Sequence, residues 1–158
     1  LYLNYIILED RMINKMNEKL NEYTFEEIKI GLKETFQVHI TESMENNFAK
    51  ITGNYNPLAS DQEYASTTNY KKRICPGMFT ASFLSRLTGM YLPGKYALVY
   101  SQTLNFVNIC YIGDTITVTG EVIEKNNATK MITIDTTITN QDGKKLIYGT
   151  AMVTFRKN

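Results

Sequence analysis

The sequence has few of the residues that build disulfide frameworks, metal sites or membrane spans. It contains no tryptophan, one histidine and two cysteines in 158 residues. Two cysteines without metal-ligand spacing predict neither a disulfide framework nor a bound metal, and unpatterned thiols are typical of a reducing cytoplasm. No apolar run approaches the roughly 20 residues of a membrane helix. The apolar residues 1–8 lack the basic segment and cleavage site of a signal peptide.

The sequence also has almost no excess of charge of one sign. Lys and Arg number 17 against 16 Asp and Glu, which gives a net charge of +1. This balance provides no electrostatic reason to expect nucleic acid or an anionic membrane as a partner. The chain begins with Leu1 rather than Met, with Met12 and Met16 as alternative starts. We therefore treat residues 1–20 as an N-terminal extension and residues 21–158 as one domain.

The first third of this domain predicts one strand followed by a capped helix. Apolar residues alternate with polar ones over residues 36–40, which is the period of a half-buried strand. Thr41 is a suitable N-cap for a helix over residues 42–51, and Gly53 is suited to end it. The next residues are turn-rich, and Asp61 can cap a short helix over residues 62–66.

A second helix and a series of strands complete the domain. Residues 77–91 are apolar around most of the helical circumference, which predicts a buried helix, and Pro76 suits its first turn. Segments rich in Val, Ile, Thr and Tyr predict strands over residues 97–109, 115–125, 130–139 and 144–156. A four-stranded antiparallel meander that curls around the buried helix is the economical arrangement, an α+β fold. Because a curved sheet leaves an open edge, we expect a homodimer formed through sheet edges.

The most informative segment, residues 48–61, reads F-A-K-I-T-G-N-Y-N-P-L-A-S-D. It resembles the signature of the MaoC-like (R)-specific enoyl-CoA hydratases and 3-hydroxyacyl dehydratases, roughly F-A-x-x-[ST]-G-D-x-N-P-[IL]-H-x-D. The residues that frame this signature are present. The family's Asp position holds Asn54, however, and its His position holds Ala59. The resemblance therefore implies the family while both proton-transferring residues are replaced.

Four further segments match the family in order and spacing. I-C-P-G-M at residues 74–78 resembles I-A-H-G-M, with Pro76 in place of the His. The others are S-Q-T-L-N-F at 101–106, I-G-D-T at 112–115 and T-N-Q-D-G at 139–143. The resemblance spans about residues 25–155 and implies the hot-dog fold with a ligand tunnel at a dimer boundary. It also implies an acyl thioester as ligand, with coenzyme A or phosphopantetheine as part of the substrate and no separate cofactor.

Hydration of an enoyl thioester requires proton transfer and stabilisation of the thioester oxygen. In the family, the Asp and His handle water and protons, and an N–H at the start of the central helix binds the oxygen. Gly77 is the candidate for that N–H, because a helix N-terminus carries free donors. Asn54 and Ala59 cannot transfer a proton near neutral pH, although Asn54 and Asn56 could hold a water or a ligand carbonyl.

Other residues have a functional and a structural interpretation. Tyr55 and Met78 are assigned to the walls of an acyl tunnel, with core packing as the alternative. Arg73 ends the basic cluster 71–73 and could bind the phosphates of coenzyme A or a carrier-protein arm, with a solvated loop as the alternative. His39 is interpreted as a solvated strand residue and Cys75 as a small core residue.

Three functions remain open. The first is a hydratase or dehydratase with a degenerate active site and weak or lost activity. The second is a non-catalytic acyl-thioester binding or structural subunit, and the third is a hot-dog thioesterase. Residues 78–91 contain no carboxylate, which argues against the usual thioesterase arrangement. The extent of the match keeps the hydratase/dehydratase lineage as the best single description.

Overall fold

The computed structural model describes residues 19–156, so residues 1–18 of the predicted N-terminal extension lie outside the described residues. Strand β1 (Lys33–His39) is followed by three helices, α1 (Glu42–Thr52), α2 (Pro57–Ser60) and α3 (Gln62–Thr67). Helix α4 (Gly77–Arg86) continues into a π-helical turn, Leu87–Tyr91. The remaining strands are β2 (Ala97–Gln102), β3 (Asn105–Phe106), β4 (Thr115–Asn126), β5 (Met131–Thr139) and β6 (Lys145–Phe155).

These strands form one antiparallel sheet in the order β1-β4-β5-β6-β2, with β3 also paired to β6. The predicted four-stranded meander is therefore wrong for its first strand, because β2 lies beside β6 and not beside β4. The reason is that β1 already occupies the free edge of β4. The single strand predicted over residues 97–109 is also divided, since β2 ends at Gln102 and only Asn105–Phe106 resume pairing.

Helix α4 and its π-helical turn pack against the concave face of this curved sheet, as predicted for residues 77–91. Phe79, Leu84 and Leu87 are buried in the same core cluster as strand residues of β1, β4 and β5. Gly120 in β4 makes room for the helix, because a Cβ at this position would lie 2.8 Å from Leu87 Cδ2. The predicted hot-dog architecture, an α+β fold, is thus confirmed.

The predicted helix boundaries are confirmed by their capping contacts. Thr41 Oγ1 accepts a hydrogen bond from the Met44 N–H at 3.3 Å, and Gly53 ends α1 with φ of 71°. Asp61 Oδ1 accepts from the Tyr64 N–H at 3.0 Å, which caps α3. Each side chain binds a donor that the first helical turn leaves free. Together these caps position the motif residues between α1 and α3.

Strand β2 forms one edge of the described sheet and is unusually exposed. Leu98, Val99 and Tyr100 are all exposed, and Tyr100 retains 73% of its accessible surface. An apolar edge strand of this kind presents unpaired backbone groups beside apolar side chains. Among the described residues, no helix is long and apolar enough to cross a membrane.

Candidate active site

The motif segment between α1 and α3 is organised by its own asparagines. Asn54 Oδ1 accepts a hydrogen bond from the Asn56 N–H at 3.3 Å, and Asn56 Oδ1 accepts from the Leu58 N–H at 3.0 Å. Asn56 is therefore the N-cap of α2, whose first residue is Pro57. Side chains that bind nearby backbone in this way favour turns and helix starts. Tyr55 lies between the two asparagines with its side chain exposed.

Ala59, at the position of the family's His, faces the protein interior from α2. It retains only 3% of its accessible surface, and its carbonyl accepts a hydrogen bond from Arg73 Nε at 2.5 Å. The methyl group fills a closely packed position, so a larger side chain would have to displace its neighbours. In this chain, position 59 contributes a buried methyl group and no polar side chain.

Arg73 joins the motif segment to helix α1. Its guanidinium donates to Glu42 Oε1 and Glu45 Oε2, each at 2.5 Å, and to Asn46 Oδ1 at 2.8 Å. With the bond to Ala59, four of its five N–H groups have acceptors. Its exposed fraction is 7%. Burial and pairing argue against the phosphate-binding role expected from sequence, because the charge already serves two carboxylates inside the chain.

Glu45 is the buried member of this ion pair. It is fully buried, and its Oε1 has no hydrogen-bond partner among the described residues, although Oε2 pairs with Arg73. Burial raises the pKa of the Glu45 carboxyl, and the nearby Arg73 charge opposes that shift. No sequence pattern marked Glu45, since it lies on an otherwise ordinary helix. We regard the pair as an internal clamp between α1 and α2.

A cavity of about 480 Å³ opens at the start of helix α4. Its lining residues are mostly apolar, and none is Asp, Glu or His: Ile74, Cys75, Gly77, Met78, Thr80, Phe106, Val107, Asn108, Ile109, Cys110 and Ile147. The cavity can therefore hold an apolar ligand, but its own walls offer no carboxylate or imidazole for proton transfer.

Gly77 brings the backbone of α4 to the surface of this cavity. Pro76 precedes the helix without a side-chain cap, and the first helical hydrogen bond is that of the Thr80 N–H to the Pro76 carbonyl at 3.1 Å. The amides before Thr80 therefore have no intrahelical acceptor, and the helix dipole adds positive potential there. A Cβ at Gly77 would lie 2.7 Å from Phe106 Cδ1, so only glycine permits the observed packing.

A second, more apolar cavity of about 670 Å³ lies further along α4 and its π-helical turn. Met78 lines both cavities, and Val99 and Leu104 form part of the second. Asn54, Tyr55 and Asn56 are not among the residues that line either one. This single chain therefore does not bring Asn54 and Asn56 into a cavity with Gly77. Their convergence stays a prediction for an assembled pair of subunits.

Two cysteines that sequence reasoning left unrelated meet in the wall of the first cavity. The Cys75 N–H donates to the Cys110 carbonyl at 2.8 Å, and both side chains are buried. Interaction with the neighbouring Cys110 thiol, together with burial, raises the pKa of the Cys75 thiol. Interaction with the Cys75 thiol lowers the pKa of the Cys110 thiol, because it stabilises the thiolate. No local sequence signal could have revealed this contact between distant segments.

Comparison with known proteins agrees with this fold. Residues 25–143 match the profile of the MaoC like domain family. An (R)-specific enoyl-CoA hydratase from Rhodospirillum rubrum is 41% identical over 133 residues, which cover 82% of this chain and 89% of that protein. A 3-hydroxybutyryl-CoA dehydratase from Methylorubrum extorquens is 38% identical over 109 residues, 69% of each chain.

Solved structures show the same relationship. An R-hydratase from Pseudomonas aeruginosa, unliganded, superposes with a TM-score of 0.84 at 30% identity, covering 88% of this chain and 89% of that one. An (R)-hydratase from Aeromonas caviae gives a TM-score of 0.80 at 30% identity, covering 82% of this chain and 98% of the other. The fold is thus that of the hot-dog hydratases and dehydratases that act on acyl thioesters. This chain belongs to the MaoC-like domain family.

Proposed function

We propose that this protein binds acyl thioesters of coenzyme A or of a carrier protein, and that its hydratase/dehydratase activity is weak or lost. The observation that carries the proposal is the contrast at the cavity beside α4. The cavity presents uncapped helix amides at Gly77, yet none of its lining residues is Asp, Glu or His. Coenzyme A or phosphopantetheine would arrive as part of the ligand, with no separate cofactor.

Retained binding is supported by the geometry at the helix start. A thioester oxygen placed near Gly77 would meet free N–H groups and the positive end of the helix dipole. Met78 and Ile147 provide apolar surface in the same cavity for an acyl chain. Backbone donors of this kind are independent of side-chain identity, so they survive substitutions that remove catalytic groups.

Weak or lost catalysis is supported by the residues that occupy the family's two proton-transferring positions. Asn54 has no titratable group near neutral pH, and Ala59 has no polar side chain. The sole histidine in the sequence, His39, is exposed on β1, where its Nδ1 lies 3.2 Å from Thr115 Oγ1. Glu45 is occupied in the buried pair with Arg73. Loss of general acid–base catalysis typically costs about 10²–10⁴-fold in rate.

The same observations favour a non-catalytic binding or structural subunit as the second candidate. Such a role requires no proton-transferring residue, and the exposed apolar edge of β2 offers a surface for another subunit. We propose that the chain forms a homodimer through this edge. We also propose that the protein is located in the reducing cytoplasm. The thioesterase alternative lacks support, because α4 carries no carboxylate and its charged residue is Arg86.

The assembly is tested by sedimentation of the purified chain at micromolar concentration. We expect a species of twice the 18.1 kDa chain mass. The variant Val99→Lys should shift the equilibrium toward monomer, because it places a charge on the β2 edge. Ile123→Lys is the matched control, since Ile123 is a similarly exposed apolar residue on the interior strand β4. A wild-type chain that sediments only as monomer would contradict the homodimer.

The function is tested by incubating the protein with crotonyl-CoA and 3-hydroxybutyryl-CoA while measuring binding in parallel. We expect binding with absent or very slow interconversion. Turnover at ordinary enzyme rates, about 1–10³ s⁻¹, would contradict lost catalysis. Release of free coenzyme A would identify a thioesterase instead. Absence of binding to either ligand would overturn the proposed ligand class for coenzyme A, and the same assay with a carrier-protein thioester completes the test.

A further inference from the structure

Cys75 and Cys110 lie directly opposite each other on two antiparallel segments. Ile74 and Tyr111 form an isolated antiparallel bridge, and the next pair in that register is Cys75 with Cys110. Their backbones are joined by the 2.8 Å hydrogen bond from the Cys75 N–H to the Cys110 carbonyl. Opposed residues in such a pair have Cβ atoms about 4.5–5.5 Å apart, and a disulfide requires about 3.5–4.5 Å. These two ranges meet at about 4.5 Å, so the pairing of the two cysteines is compatible with a disulfide.

Both cysteines can be reached from the cavity beside α4. Each thiol shifts the pKa of the other, and both cysteines are free in the structure. Although their exposed fractions are only 4% and 3%, both residues line the cavity of about 480 Å³. A small oxidant that enters this cavity would meet both sulfurs, whereas a bulky reagent would be excluded from the packed interior around them.

We propose that Cys75 and Cys110 are a redox-modification site, which forms a reversible intramolecular disulfide when hydrogen peroxide enters the cavity beside α4. This inference goes beyond the proposed function, because it depends on the opposition of the two cysteines and not on which acyl ligand the cavity accepts.

The chemistry balances with peroxide as the two-electron oxidant. The Cys110 sulfur, whose pKa is lowered by interaction with the Cys75 thiol, attacks one peroxide oxygen. The O–O bond breaks, water leaves and Cys110 becomes a sulfenic acid. The Cys75 sulfur then attacks the Cys110 sulfur, the S–O bond breaks, and a second water carries away the remaining proton. The two sulfurs are oxidised, and the peroxide is reduced to two waters.

The disulfide would link the segment that leads into α4 to the segment that precedes β4. It would close a loop of about 35 residues, for which a chain-entropy estimate predicts a rise in melting temperature on the order of 10 °C. The bond would be reversible by a thiol reductant, because thiol–disulfide exchange runs in either direction with the redox poise. The start of α4 would then be held more rigidly in the oxidised protein.

The test compares reduced and peroxide-treated full chain by intact mass after unfolding and alkylation of free thiols. We expect the treated protein to take no alkyl group, to weigh about 2 Da less than the reduced unalkylated chain, and to yield a Cys75–Cys110 cross-linked peptide. Dithiothreitol should restore two alkylatable thiols. The melting temperature of the treated wild type should rise, and that of Cys110→Ala and Cys75→Ala should not.

Three outcomes would overturn the proposal. Two alkyl groups on the treated protein would show that no oxidation occurs, and a sulfinic acid without the cross-linked peptide would show that the second thiol does not resolve the first. A cross-link only between two chains would show that the sulfurs do not meet within one. If a cysteine variant fails to fold, the mass and peptide measurements on wild type still decide the question.

Discussion

The motif segment and the start of helix α4 differ in how they use their polar groups. In the motif segment, the side-chain oxygens of Asn54, Asn56 and Asp61 all accept hydrogen bonds from nearby backbone. At the start of α4, no side chain caps the helix, and Gly77 faces a cavity. The motif segment uses its polar side chains to bind its own backbone. The first turn of α4, in contrast, keeps backbone N–H groups that no side chain binds. The comparison indicates that binding and proton transfer can be lost separately, because they depend on different chemical groups.

The largest effect is expected when the family's two proton-transferring residues are restored in the motif segment. We expect Asn54→Asp with Ala59→His to raise crotonyl-CoA hydration by about 10²–10⁴-fold, because two acid–base groups would return to an otherwise retained frame. Asn54→Asp alone should gain less, since the second group would still be missing. Steady-state hydration of crotonyl-CoA measures the effect.

Because Ala59 is buried, the double variant needs a control for correct folding. A His at this position must displace packed neighbours, so its unfolding must be followed alongside its activity. A double variant that is folded and binds crotonyl-CoA but leaves it unreacted would show that the pocket has diverged beyond these two residues.

Removing the internal clamp should weaken the motif segment itself. We expect Arg73→Met to lower the free energy of unfolding by about 3–5 kcal/mol, because it leaves the buried Glu45 carboxylate without its cation. Urea unfolding measures the difference. Lys71→Met is the matched control, since Lys71 is an exposed cation two residues away. Equal stability of the two variants would contradict a structural role for Arg73.

Filling the helix start should reduce binding with little effect on the motif segment. We expect Gly77→Val to weaken crotonyl-CoA binding roughly 10- to 100-fold, because its side chain would collide with Phe106 and narrow the cavity. Gly89→Ala is the control, because a Cβ at Gly89 meets no atom within 4 Å. Unchanged affinity in a folded Gly77→Val protein would remove Gly77 from the binding site.

The smallest expected effect concerns the pH dependence of stability. Burial raises the pKa of Glu45 above its usual 4.5, so the folded chain holds this proton to higher pH than the unfolded chain does. The resulting stability is present below pH 4.5 and is lost as pH rises through the higher pKa of the folded state. Wild type should therefore lose stability relative to Glu45→Gln as pH rises above this value.

Urea unfolding from about pH 4 to pH 8 measures this difference, a span that covers the region where buried carboxyl groups titrate. The matched control is Glu63→Gln, because Glu63 is an exposed carboxylate in the first turn of α3. A difference between wild type and Glu45→Gln that stays constant across this range would contradict the raised pKa.

Local features of the fold were predictable from short stretches of sequence. The caps at Thr41, Gly53 and Asp61 were identified because each depends on residues within three or four positions. The buried helix over residues 77–91 was identified because its apolar surface is continuous around the axis. Family membership was equally accessible, since five motifs keep their order and spacing.

Several wrong or missed features involve residues distant in sequence. The place of β2 beside β6 depends on β1 having taken the edge of β4, which no pattern within residues 97–102 encodes. The basic cluster 71–73 looked like a solvated or phosphate-binding loop, but Arg73 turns inward to Glu45 on α1. Side-chain direction decided its role, and charge patterning does not report direction.

Residue identity and local periodicity were sufficient to identify the family, the buried helix, and the presence of Asn54 and Ala59 at the motif's Asp and His positions. The contact of Arg73 with Glu45 and the pairing of Cys75 with Cys110 depend instead on the tertiary structure. These contacts require a particular closure of the chain. Residues far apart become partners only when burial of the common core brings their segments together.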